Sequence, residues 1–261
     1  MKKATIVLIG MCLSLVTCAS SQRKLQEANE KSPQYQYSLG AFHLNNNNLD
    51  EALKYFQRAL ALDPRHFQSW NALGLVYSIQ GNFEQAEKSF LKCLEISPAF
   101  VEAHNNLGVV YQEMGFPDRA EAEFKKVIAD PAYPTKESPY YNLARLYSIR
   151  QDWENALFYV DKAIQANPRY HMGYALKGMI MEQQAKYGDA VAAYKEALKY
   201  LPDDVNYNFS LAAAYFKNGD FQSAEPILEK ILSRITDPEM KKTADSYLTT
   251  IREKEKGPGG D

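Results

Sequence analysis

Apolar positions along the chain follow two short helical rhythms that alternate and repeat. The stretch Phe67–Phe100 shows the unit most clearly: two amphipathic helical patterns, a Gly-Asn turn between them and a closing proline. Counted from Phe67, Trp70 is at position 4, Leu73 at 7, Gly74 at 8 and Tyr77 at 11. Ala86 is at position 20, Phe90 at 24, Cys93 at 27 and Pro98 at 32. Gly74 and Ala86 are small because two helices cross there with little room for a side chain. Gly81 lets the chain turn, and Pro98 stops the second helix.

The same template fits along most of the chain. Gly40, Gly74, Gly108, Ala144, Gly178 and Ala212 share position 8, and Ala52, Ala86, Ala120, Ala156, Ala190 and Ala224 share position 20. The step is 34 residues, with one step of 36 between the third and fourth units. Six units follow: 33–66, 67–100, 101–136, 137–170, 171–204 and 205–236. In spacing and residue type they resemble the tetratricopeptide (TPR) repeat. That resemblance implies an all-α fold, a right-handed TPR solenoid of six helix-turn-helix repeats. A further helix over 237–256, with Ala244, Tyr247, Leu248 and Ile251 on one side, is expected to cap it, and 257–261 to form a loose tail.

Composition adds a core supply and removes some partners. Apolar residues are 46% of the chain, with 18 Tyr and 12 Phe, enough for a core running along a repeat array. A net charge of −2 without a basic run argues against a nucleic-acid surface.

The first residues read as a secretory signal over 1–17: Lys2 and Lys3, then the apolar run Ala4–Val16. Leu15-Val16-Thr17-Cys18 resembles the lipobox of bacterial lipoproteins, with Thr17 where Gly, Ala or Ser is commoner. The resemblance implies lipidation at Cys18, a tether over 18–32, and a place on the periplasmic face of the outer membrane, since Ala19 rather than Asp follows the cysteine. Cys93 then remains alone and reads as a small core residue.

Catalytic signatures do not emerge: there is no HExxH, GxSxG, phosphate-binding Gly-rich loop or CxxC. His43 and His104 fall at core or near-core positions of their repeats, where a hydrogen-bonded histidine is expected rather than a metal ligand. No cofactor, metal or small-molecule substrate is expected, and no enzyme activity.

Binding is what the pattern leaves. In TPR proteins positions 2, 5, 9, 12 and 13 of the first helix line an inner face. Here they include Tyr37, Leu44, Leu75, Ile79, Val109, Tyr141, Met172, Met179, Phe209 and Phe216, with Arg145 the central cation. These residues either form a groove for an amphipathic helix or extended peptide, or pack against the next first helix. Asn71 and Asn105 at position 5 do not fit the cationic clamp of chaperone-tail-binding TPRs.

Six such repeats behind a lipobox, with Tyr133-Pro134 in the lengthened loop before Tyr140-Tyr141-Asn142-Leu143, resemble the type IV pilus biogenesis lipoproteins, the secretin pilotins of the PilF/PilW/Tgl type. That resemblance implies a non-catalytic scaffold that binds secretin subunits and promotes their outer-membrane localisation and assembly. Repeats 1–3 are the expected partner surface, because they lie nearest the anchor. A general periplasmic TPR adaptor, recruiting hydrolases or serving outer-membrane protein assembly, is the alternative.

Overall fold

A computed structural model describes residues 30–255 of the chain. The signal over 1–17, the lipidation site Cys18, residues 18–29 of the expected tether and the tail 257–261 lie outside the described residues. Thirteen helices occupy the described residues, in sequential antiparallel pairs that form a TPR-like array. The chain makes two compact units, dividing inside one helix between Glu123 and Phe124.

The first unit holds α1 (Pro33–Asn45), α2 (Leu49–Leu62), α3 (Phe67–Ile79), α4 (Phe83–Ile96), α5 (Val101–Glu113) and the start of α6 (Pro117–Ala129). Within it α1 packs on α2 and α3 on α4, while α2 also meets α3 and α4 meets α5. The second unit holds the end of α6, then α7 (Glu137–Ile149), α8 (Trp153–Ala166), α9 (His171–Gln183) and α10 (Tyr187–Leu198). It ends with α11 (Val205–Lys217), α12 (Phe221–Leu232) and α13 (Pro238–Glu255). From α7 onward each helix packs on its successor.

Helix starts are set by short polar side chains that accept a backbone N–H of the first turn. Asn48 accepts from Glu51, Asn82 from Gln85, Asp152 from Asn155, Asp204 from Tyr207 and Asp220 from Ser223. Between the helices of every repeat the chain turns through a residue in the left-handed region at position 15. That residue is glycine at Gly81 (φ 73°), but Asn47, Gln151 and Ala185 take the same conformation at φ 57°, 59° and 55°.

The core explains the spacing. All six position-20 alanines are wholly buried. At position 8 the approach is closest: a Cβ on Gly74 would lie 2.5 Å from a ring carbon of Phe90, itself wholly buried. The same holds for Gly40 against Phe56 at 2.6 Å and Gly178 against Tyr194 at 2.7 Å. Where position 8 is alanine, at Ala144 and Ala212, position 24 carries the smaller Val160 and Leu228. Burying each such aromatic contributes roughly 1.5–3 kcal/mol.

Position 4 has a second duty that ties five of the repeats to the turn before them. Its side chain donates to the backbone carbonyl six residues earlier, in the turn that leads into the helix. Gln36 donates to Glu30 O at 2.8 Å and Trp70 Nε1 to Pro64 O at 2.9 Å. Tyr174 donates to Pro168 O and Asn208 to Pro202 O. His104 Nε2 does the same to Pro98 O at 3.2 Å, while its Nδ1 lies 2.6 Å from Glu123 Oε2. His43 instead stacks on Tyr55, with centroids 5.1 Å apart.

Candidate functional site

The inner-face residues read from the sequence have different fates in the two units. In the first, Tyr37 packs on Phe56 and His66, and Leu44 joins the same core. Leu75 and Val109 are half-buried, and Ile79 is 58% exposed. Beside them Asn106 donates to Asn71 Oδ1 at 3.1 Å, joining α5 to α3 through amides.

In the second unit Tyr141 sits edge-on to Tyr170, Phe209 packs against the terminal core, and Phe216 stacks on Tyr247 of α13 at 4.1 Å. The terminal helix thus covers Phe216 while burying its own Ala244, Leu248 and Ile251. Met172 and Met179 stay open, at 39% and 56%. Tyr133 and Pro134 lie in the loop between α6 and α7, which turns through Ala132 N–H donating to Asp130 Oδ1 at 2.8 Å; Tyr133 is half-buried and Pro134 exposed.

Met179 and Arg145 meet in a cleft of 290 Å³ between α7, the start of α8 and α9. Leu176 and Ile180 form its floor, and Ile149 and Trp153 line it further. Ile149 is 68% exposed and stands at position 13, the place Ile79 holds in the second repeat. Ile149 is not among the inner-face residues named from the sequence, although position 13 is one of those expected to face inward.

Chemically the cleft offers apolar area rather than a reacting group. Its Ser148 hydroxyl donates to Ala144 O at 2.8 Å, a helix back-bond, and the other polar lining is Arg145 and two glutamines. Nowhere among the described residues do three His, Cys, Asp or Glu side chains gather as a metal site would need. His66 caps α3 through Nδ1, its burial holding the ring below the usual histidine range. Cys93 is buried, and that burial pushes its thiol up to about 12, so it is inert. Exposed Met179 and Ile149 with half-buried Trp153 around a small cleft suit a protein anchor side chain.

Comparison with known proteins agrees with the helices. Residues 138–170 and 182–244 match the description "Tetratricopeptide repeat", and residues 20–130 match the cilia and flagella-associated protein 70 middle TPR-like domain. A TPR repeat-containing protein of Methanocaldococcus jannaschii is 29% identical over 93 residues, covering 36% of this chain and 16% of that protein. Tetratricopeptide repeat protein 21A of Homo sapiens is 30% identical over 117 residues, 44% of this chain and 9% of its own length. The chain therefore spans a small part of these relatives.

Among solved structures, PilW, a widely conserved type IV pilus biogenesis factor, superposes with a TM-score of 0.76 at 20% identity. That match covers 81% of this chain and 97% of PilW. PilF of Pseudomonas aeruginosa superposes at 0.74 with 16% identity, covering 84% and 99%. At such identities the likeness is one of fold.

Proposed function

We propose, for a chain that is a tetratricopeptide-repeat scaffold, that its partner is a pilus secretin subunit. In this reading it is a lipoprotein anchored through Cys18 to the periplasmic face of the outer membrane. It promotes secretin localisation and multimerisation for type IV pilus assembly. The observation that carries the reading is the exposed apolar cleft around Ile149, Trp153 and Met179, on a fold that spans nearly all of PilW. A TPR array is typically non-catalytic, and apolar surface left open on it serves association. The lipobox-like start and the Tyr133-Pro134 loop support the pilus assignment over a general adaptor.

The mechanism is capture. An apolar side chain of the incoming subunit seats in the cleft, leaving water as Met179 and Ile149 do, and stays shielded until subunits associate. Burial of one large apolar anchor contributes roughly 1.5–3 kcal/mol. The anchor at Cys18 concentrates the scaffold where the ring is built.

The test is deletion of the gene and an unboiled gel of membrane fractions probed for the secretin. Loss of the high-mass ring with monomer retained is expected, as is the same loss with Ile149→Asp plus Met179→Asp. Cys18→Ala is expected to displace the ring from the outer membrane. An intact ring and surface pili in the deletion strain would reject the secretin reading in favour of the general periplasmic adaptor.

A further inference from the structure

Two grooves at the same place in two different repeats carry opposite charge. The first lies between α2, α3 and α4, with a volume of 420 Å³ and a floor of Leu60, Trp70, Leu73 and Tyr77. Its rim is Lys88 and Lys92 together with Gln57 and Gln85, and no carboxylate lines it. The second lies between α8, α9 and α10, 440 Å³ in volume, with Ile164, Tyr174 and Met181 at the equivalent apolar positions. Its rim carries Asp161, Asp189 and Glu196 against the single Lys177, which is bonded to Asp161 at 2.8 Å.

Position 23 is small in both, Ser89 in one and Ala193 in the other, whereas the groove at the same place in the first repeat, 500 Å³ in volume, is lined there by Tyr55. In the third repeat that position is Glu123, which closes onto His104, and in the fourth it is Tyr159, which stacks on Tyr140. Chain-wide, acids slightly outnumber bases, 32 to 30, so a groove lined by two lysines and no acid is not the average surface. Lys92 is held by Glu95 at 2.6 Å, an exposed pair of the kind worth little and easily exchanged.

We propose that the groove of the second repeat is a docking site for an amphipathic helix of a partner protein, with an apolar stripe flanked by carboxylates. Lys88 and Lys92 stand one helical turn apart, roughly 6 Å, which matches carboxylates spaced four residues apart on the partner. Trp70 and Tyr77 supply the flat apolar area on which its stripe lies. This surface is separate from the cleft around Ile149 and does not depend on the secretin reading. The acidic groove of the fifth repeat is a built-in comparison: Ile164, Tyr174 and Met181 stand where Leu60, Trp70 and Tyr77 do, while Lys177 replaces Leu73, Ala192 replaces Lys88 and Glu196 replaces Lys92.

The two tryptophans make the test direct. Trp153→Phe leaves Trp70 in the groove as the one tryptophan of the whole chain. The probes are a helical peptide with a leucine stripe flanked by glutamates four residues apart, and its lysine counterpart. The glutamate peptide is expected to shift Trp70 emission saturably, with affinity falling as salt rises. Lys88→Glu with Lys92→Glu, both exposed and so without effect on folding by circular dichroism, is expected to weaken it by about tenfold or more. No saturable shift, equal response to both peptides, or an unchanged affinity in the double variant overturns the proposal. A shift that appears on concentrating the protein alone, or a larger one with anionic lipid vesicles, assigns the groove to a second copy or to a membrane and equally overturns it.

Discussion

Gly74→Ala is the sharpest test of why the repeat needs a small residue at position 8. The added Cβ would meet three ring carbons of Phe90 at 2.5–2.7 Å, where ordinary contact begins at 3.4 Å. The ring must therefore retreat by most of an ångström, yet Phe90 is wholly buried among neighbours that leave no room. Overpacking of this kind costs roughly 1–3 kcal/mol, while replacing a mid-helix glycine by alanine returns about 1 kcal/mol. The net expectation is a loss of up to about 2 kcal/mol, or a fall in Tm of up to about 8 °C for a chain of this size. Phe90→Leu alone leaves a gap and costs a similar ~1–2 kcal/mol. In the Phe90→Leu background the new methyl fills that gap, so Gly74→Ala is expected to be neutral or stabilising there, a coupling of about 2 kcal/mol. The chain already holds this solution twice, pairing Ala144 with Val160 and Ala212 with Leu228. Urea and thermal unfolding of the four proteins measure the cycle, with amide exchange in α3 and α4 localising it, since repeat arrays can unfold in parts. Equal effects of Gly74→Ala in both backgrounds would refute the steric reasoning.

Three further expectations rest on single residues. Ala185 turns at φ 55° without being glycine, so Ala185→Gly should relieve roughly 1–2 kcal/mol of left-handed strain against ~0.4–1 kcal/mol of unfolded-state entropy, raising the urea midpoint. His66 is depressed below its usual value by burial, opposed only by nearby Asp63, and its Nδ1 must stay unprotonated to accept from Ser69 N–H. Its contribution to stability is therefore complete above the unfolded value near 6.5 and lost as the pH falls through the lower folded value. His66→Asn, which keeps a cap, should flatten the stability profile over that window. Cys93, buried with its thiol pushed up to about 12, should resist alkylation at neutral pH and react only in denaturant; stoichiometric native labelling, counted by mass at that residue, would contradict the burial.

The repeat was legible because its key positions answer to local sterics. Position 8 and position 20 are small wherever two helices cross, and short polar residues such as Asn48 and Asp220 start helices whatever lies around them. The left-handed turn was legible at Gly81 but not at Gln151 or Ala185, where packing of the two helices forces a conformation the residue itself disfavours. The interaction surfaces were only partly legible, for a different reason. Register says which way a side chain points, but not whether a neighbour covers it. Tyr37 and Leu44 are absorbed by the core shared by the first two repeats and Phe216 by Tyr247, while Ile149 and Met179 remain open. The charged grooves lay further out of reach. Each is assembled from three helices spread over some thirty-six residues, from Gln57 to Lys92 in one and from Asp161 to Glu196 in the other. A periodic pattern averages over repeats, whereas recognition depends on how one repeat departs from the rest. Ser89 against Glu123, and Lys92 against Glu196, are such departures, and they are where the distinct partners of this chain should be sought.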